Sequence, residues 1–269
     1  IFKCSISNFL KDPFSQEIFL GAESEIEKNE YNLLFSLLKD EYIWNSSVIR
    51  TFKGRYCDGV LLMGAIGTKM IDFLTQLKMP FVNIDFIVSN RKTNSVLPKN
   101  KEGAYDAVKY LINQGCKKIV CVNGISKNLF HQSYSERPAG YIKAMNEFGL
   151  NNIIIETFPD IYNSQNAVEK FLSNPKNFPD AFFATGDHMA IGCLRAIKEK
   201  IPHLLPKIRL IGFDNISWLE NESPMISSVN VPKVQIGEES VKLLLKQIHN
   251  PNTPPQIIRL PTTLLIRET

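Results

Sequence analysis

Histidine and cysteine are few in this chain of 269 residues, and neither is arranged for chemistry. The four histidines, His131, His188, His203 and His249, lie far apart without the spacing of a metal-ligand set. The five cysteines include no CxxC pair and sit mostly in apolar runs, where a reduced cysteine behaves as a small buried hydrophobe. That usage fits a reducing compartment, the cytoplasm, better than an oxidising one. Runs of about five or six like charges are missing, so this segment carries no basic tail for nucleic acid or membrane. No stretch reaches the roughly 18 apolar residues of a membrane span, and no signal-peptide pattern is present. The signatures GxGxxG, HExxH and GxSxG and a Walker A lysine are also missing. The sequence therefore leads us to expect neither an enzyme nor a cofactor or metal site.

What remains is an ordinary globular composition, 44% hydrophobic and 22% charged, with a formal net charge of +4. The length allows one large domain or two lobes of about 100–150 residues each. The chain opens on Ile1, without Met and directly in a strand pattern, which points to a segment of a longer protein.

Strand and helix patterns alternate nearly throughout. Strands are expected at 1–7, 31–38, 58–63, 80–85 and 94–97, with helices at 13–29, around 44–53 and at 69–78. A second set follows: helix 100–114, strand 118–124, helix 137–148, strand 153–158, helix 164–173, strand 181–185, helix 188–200 and strand 207–214. The tail reads as strand 226–231, helix 234–249, a proline-rich connector at 251–255, and strands 256–260 and 263–267. Such alternation implies parallel sheets covered by helices on both faces. The expected fold is α/β, with two similar lobes and a ligand cleft between them. The expected division is residues 1–97 with 230–252 as the N-terminal lobe, and 98–229 with 253–269 as the C-terminal lobe. Two carboxylates, Asp187 and Asp214, fall just past apolar runs, where open α/β sheets bind ligands.

A series of short motifs, in order, covers essentially the whole chain: Asp12-Pro-Phe14, Tyr31-Asn-Leu-Leu34, Cys57-Asp-Gly-Val60, Pro80-Phe-Val82 with Asp85, and Glu102-Gly-Ala-Tyr105. Arg137-Pro-Ala-Gly-Tyr141, Gly186-Asp-His-Met-Ala-Ile-Gly192, Gly212-Phe-Asp-Asn215 and the closing segment Leu260 to Glu268 complete it. Together they resemble the effector-binding domain of the LacI/GalR family of transcriptional regulators. The resemblance implies a two-lobed, type I periplasmic-binding-protein fold, homodimerisation, and a small effector, usually a sugar or related metabolite, in the cleft. It also implies operator binding through a helix-turn-helix domain that precedes such a region and that this sequence does not include. A periplasmic or secreted sugar-binding protein of a transporter shares the fold and is the alternative.

Matching the family position by position, the resemblance makes Arg137 a fork for ligand hydroxyls or a carboxylate, Asp214 and Asp85 acceptors of hydroxyls, and Phe14 an aromatic platform. Arg137 would open its helix, where a cation opposes the macrodipole. Asp187 would cap or buttress the helix that it starts, or touch the ligand. Asn8 and Asn83 lie near strand ends, His131 and Tyr134 resemble lid positions, and Trp218 would wall the cleft or pack beneath it. The chain also departs from the family: Gly186 stands where an asparagine is usual, Lys99 where an acid is usual, and Lys233 where an aromatic can close over the ligand. With Arg137, Lys233 makes an acidic or phosphorylated sugar conceivable.

Overall fold

A computed structural model of the chain describes residues 2–4, 12–37, 52–54, 56–64, 66–125 and 132–269. It divides into two compact units, the first formed by Ile1–Pro98 and Pro232–Leu260, the second by Lys99–Val231 and Pro261–Thr269. Both are α/β units built on parallel sheets, the fold class expected.

In the first unit the elements are β1 (Phe2–Cys4), α1 (Pro13–Lys28), β2 (Phe35–Leu37), β3 (Val60–Met63), α2 (Thr68–Gln76), β4 (Phe81–Ile84) and β5 (Asn94–Pro98), joined later by α7 (Lys233–His249) and β11 (Ile257–Leu260). Among the described residues the sheet runs β11-β5-β4-β3-β1-β2, every pair parallel. Asp12 sets the start of α1: its carboxylate accepts the Ser15 N–H at 3.2 Å, and Pro13 supplies a helix-compatible first residue. Helices α1 and α7 pack with no room for side chains at two points. A Cβ on Gly21 would collide with the Val234 carbonyl oxygen, and one on Gly237 with that of Ile18. A separate apolar cluster, including Phe52, Val60, Leu62, Met70, Leu74 and Phe81, packs α2 against the sheet. Strands β3 and β4 are buried at every residue, as parallel strands covered on both faces must be.

The second unit holds α3 (Asn100–Asn113), β6 (Ile119–Gly124), α4 (Gln132–Glu147), β7 (Ile153–Thr157), α5 (Ile161–Leu172), β8 (Ala181–Ala184), α6 (Asp187–Lys200), β9 (Arg209–Asp214), β10 (Ser227–Asn230) and β12 (Thr263–Leu265). Its sheet runs β12-β10-β9-β8-β6-β7, parallel throughout except for β12, which pairs antiparallel with β10. The C-terminal ends of β6, β8, β9 and β10 consequently lie along one edge.

Three expectations need correction. Residues 253–260 do not belong with the second lobe: β11 pairs with β5, Ile257 opposite Ser95 and Leu260 opposite Pro98. Asn94 fixes that return, because its Oδ1 accepts the Gln256 N–H at 2.8 Å and its Nδ2 donates to Gln247 at 3.0 Å. Helix α4 starts at Gln132 and not at Arg137. Helix α5 starts at Ile161, earlier than the apolar spacing suggested, because Asp160 caps it through the Asn163 N–H at 2.7 Å. The helix expected around 44–53 falls largely outside the described residues.

Candidate functional site

The second unit assembles a polar centre on the C-terminal edge of its sheet. Asp214 ends β9, and Thr185 follows β8 immediately. Between them and α4 lies Arg137, buried to 3% exposure. Its Nη2 pairs with Asp214 Oδ1 at 2.8 Å, its Nη1 donates to the Thr185 carbonyl at 2.7 Å, and its Nε donates to Asn100 Oδ1 at 2.9 Å. The guanidinium carbon also stands 3.9 Å from the centroid of the Phe213 ring. Two carbonyl-type acceptors, one carboxylate and one aromatic face therefore define the plane and direction of a single fork.

Position explains how Arg137 tolerates burial. It lies in the second turn of α4, beyond the exposed N–H groups of the helix start, so the expected opposition to the macrodipole does not arise. Its charge is compensated by Asp214 instead. The next residue, Pro138, lacks an N–H, which deprives the Tyr134 carbonyl of its helical partner. Asn123, near the end of β6, supplies the missing donor from Nδ2 at 3.2 Å. Asn123 Oδ1 in turn accepts the Thr185 hydroxyl at 3.0 Å. The proline that interrupts α4 thus ties the helix to the two strand ends beside Arg137.

Farther along α4, Tyr141 accepts the Ile153 N–H at 2.8 Å, with the Ile119 carbonyl 2.9 Å from the same hydroxyl. Burial pushes the Tyr141 hydroxyl up to about 12, despite an opposing backbone hydrogen bond from Ile153. Burial likewise pushes up the thiols of Cys121 and Cys193, which are inert packing groups.

Asp187 has a structural part. It is fully buried at the start of α6, where Oδ1 accepts the Ser228 hydroxyl at 2.7 Å and Oδ2 the Ile216 N–H at 2.8 Å. It therefore ties the turn after β9 to the start of β10. The N-cap of α6 is Gly186, which offers no side-chain bond. A Cβ there would lie 3.7 Å from Asp214 Oδ2 and 3.2 Å from Met189 Cε, so a larger residue would point toward the Arg137–Asp214 pair.

The remaining positions are dispersed. Tyr134 sits in the first turn of α4 rather than in a loop, its ring against the backbone of Gly124. Trp218 meets His188 edge to face, with centroids 5.0 Å apart, and is 38% exposed. In the first unit, Asp85 follows β4 in a left-handed conformation (φ 63°), and its N–H donates to the Val96 carbonyl at 2.9 Å. Asn83 is fully buried and donates to Thr93 at 2.8 Å and Ser95 at 3.3 Å, a role in holding the 86–93 segment over the sheet. Phe14 is the second residue of α1 and is half-buried. Asn8 and His131 lie outside the described residues.

Two further residues of the centre, Asn100 and Thr185, did not stand out as ligand candidates in the sequence. Thr185 acts through a backbone carbonyl, which leaves no residue-type signal. Asn100 stands just past the Pro98-Lys99 departure from the family pattern, and that irregularity was the available clue. Lys233, considered as a second cation for an acidic ligand, is buried and pairs with Glu17 at 3.4 Å inside the first unit. Among the described residues, no group of three His, Cys, Asp or Glu side chains is placed to hold a metal ion. Nor, among them, is any helix long and apolar enough to cross a membrane.

Comparisons with known proteins agree on one family. The model of the periplasmic binding protein-like domain matches residues 108–269, more than half of the chain. The ribose operon repressor of Haemophilus influenzae is 28% identical over 260 residues, which span 96% of this chain and 77% of that protein. The transcriptional repressor PurR of Pasteurella multocida is 29% identical over 261 residues, 95% of this chain and 77% of that one. Among solved structures, a LacI-type putative transcriptional regulator from Bacillus cereus subsp. cytotoxis superposes with a TM-score of 0.86 at 26% identity, covering 99% of this chain and 96% of that one. The complex of the transcriptional regulator CelR with cellobiose superposes with a TM-score of 0.89 at 23% identity, covering 99% and 83%, a likeness of fold.

Proposed function

The chain belongs to the periplasmic binding protein-like domain family, as the effector-binding domain of a LacI/GalR-type transcriptional regulator, and on that premise we propose that it senses a small, uncharged, carbohydrate-like effector through Arg137 and Asp214. The observation that carries the reading is the pair itself. A guanidinium and a carboxylate 2.8 Å apart at a sheet's C-terminal edge offer donor and acceptor side by side, the combination that a pair of sugar hydroxyls needs.

Charge decides between a neutral and an acidic effector. The positive charge of Arg137 is already met by Asp214, and that of Lys233 by Glu17. An anionic ligand would have to compete with a carboxylate at either cation, whereas a hydroxylated ligand can join the Arg137–Asp214 pair without separating it. Phe213 stacks on the guanidinium and adds an apolar wall beside the fork.

Effector binding then favours one of two arrangements of the units according to its affinity for each. A coupling of about 1–3 kcal/mol suffices to change operator affinity roughly 5–150-fold. The regulator works as a cytoplasmic homodimer, with operator DNA as its second partner through a helix-turn-helix domain of the kind that relatives' names record. The transporter-protein alternative has less support, because the relatives compared are repressors.

A thermal-shift panel of neutral sugars, headed by ribose and cellobiose, tests the reading, because a bound ligand raises the melting temperature by mass action. At least one neutral sugar should do so, and sugar phosphates should not. Sedimentation at micromolar protein tests the dimer, and a persistent monomer would contradict it.

A further inference from the structure

We infer that Asn100 is the positioning residue of this centre: it sets the direction of the Arg137 fork and ties that fork to the passage of the chain from the first unit into the second. The inference rests on the reading of Arg137 as a ligand contact. Asn100 is the first residue of α3 and directly follows Pro98-Lys99, where β5 ends and the second unit begins. It is fully buried, though it carries a polar amide. A buried amide is tolerated where its groups are bonded, and here both are. Oδ1 accepts from Arg137 Nε at 2.9 Å, and Nδ2 donates to Glu136 Oε2 at 3.4 Å. Glu136 is steadied from its other oxygen by Gln132 Nε2 at 2.8 Å.

The arrangement has a direction that only certain residue pairs satisfy. Arg137 can only donate, so position 100 must present an acceptor to it. Glu136, as a carboxylate, can only accept, so position 100 must also present a donor. An amide supplies both from one planar group. Of the three polar contacts of Arg137, two hydrogen bonds and one ion pair, the one to Thr185 is a backbone carbonyl and the one to Asp214 faces the proposed ligand. The Asn100 contact is the side-chain contact among the three that does not itself face the proposed ligand.

The pair can be inverted without losing a bond. In the double variant Asn100→Asp with Glu136→Gln, the introduced carboxylate accepts from both Arg137 and the introduced amide, whose oxygen still accepts from Gln132. Net charge is unchanged. The test is nitrogen-edited NMR of the arginine Nε–H signals in the unliganded chain, with the Arg137 signal identified by its loss in Arg137→Lys. Hydrogen exchange of that Nε–H should be slow in the wild type and in the double variant. In Asn100→Ala it should be about tenfold faster or more. Unchanged exchange in Asn100→Ala would overturn the inference, as would a double variant that fails to fold or whose Nε–H exchanges freely. Titration with ribose and cellobiose follows. For a sugar that binds the wild type, Asn100→Ala should weaken binding about tenfold and the double variant should restore it; equal binding by Asn100→Ala would overturn the inference. If neither sugar nor any other neutral sugar binds the wild type, the effector reading fails, while the exchange measurement still decides the role of Asn100.

Discussion

Arg137 and Asp214 meet at 2.8 Å where β9 ends, each held by the fold rather than by the other alone. Asp214 takes a left-handed backbone (φ 107°), a conformation that turns the chain sharply at the strand end. Arg137 is fixed by a neighbouring helix, a strand-end carbonyl and the Phe213 ring. The pair presents a polar pattern of near-zero charge.

Gly186 is the position at which effector choice can be changed without unfolding the protein. Its backbone is extended (φ −171°, ψ 152°), open to any residue, and its missing side chain would face Asp214. Gly186→Asn places an amide beside the pair and adds a helix cap to α6. Stability should change by less than about 0.5 kcal/mol, since glycine and asparagine differ little as N-caps. The ranking of neutral sugars in a thermal-shift panel should change.

Asp187 should matter for stability more than for ligand choice. Asp187→Ala strands the Ile216 N–H and the Ser228 hydroxyl, both at buried bonds. Urea unfolding should show a loss on the order of 1–3 kcal/mol, with the sugar ranking retained.

In the first unit, Gly237→Ala should be costly although alanine is a better helix former. The added methyl meets the Ile18 carbonyl oxygen and the Ala22 nitrogen of α1, backbone atoms that cannot swing aside. A loss of about 1–3 kcal/mol or more is expected, measured by urea unfolding.

Tyr141 gives the molecule an alkaline limit. Its hydroxyl titrates near 12 in the folded chain against an ordinary value of 10, so the folded state holds this proton more tightly than the unfolded state. The stabilisation is complete below about pH 10 and is lost as pH rises toward 12. The difference in unfolding free energy between wild type and Tyr141→Phe should be constant up to pH 9 or so and should narrow above pH 10.

The sequence announced the parallel sheets because β3 and β8 are unbroken apolar runs and β4 and β6 are mostly apolar, a pattern that burial on both faces demands. Asp214 was legible in it as an acid at a strand end, whereas Arg137 was named through the family resemblance, as the opening residue of a helix. What it left out depends on contacts remote in sequence. Nothing in residues 256–260 says which sheet they join, because the deciding bond comes from Asn94. Asp187 and Asp214 look alike as strand-end acids, and only the fold consumes one carboxylate in Ser228 and Ile216 while leaving the other beside Arg137. The Pro138 gap filled by Asn123 was hidden as well, because a helix starting at 137 puts the proline in its first turn, where no N–H is missed.

The most direct measurement is calorimetric titration of the neutral sugar that most raises the melting temperature, into the wild type and into Arg137→Lys. Lysine keeps the positive charge opposite Asp214 but cannot reproduce the planar fork. The Arg137–Asp214 account predicts a folded variant whose sugar affinity falls at least about tenfold. Equal affinity in the two proteins would contradict it.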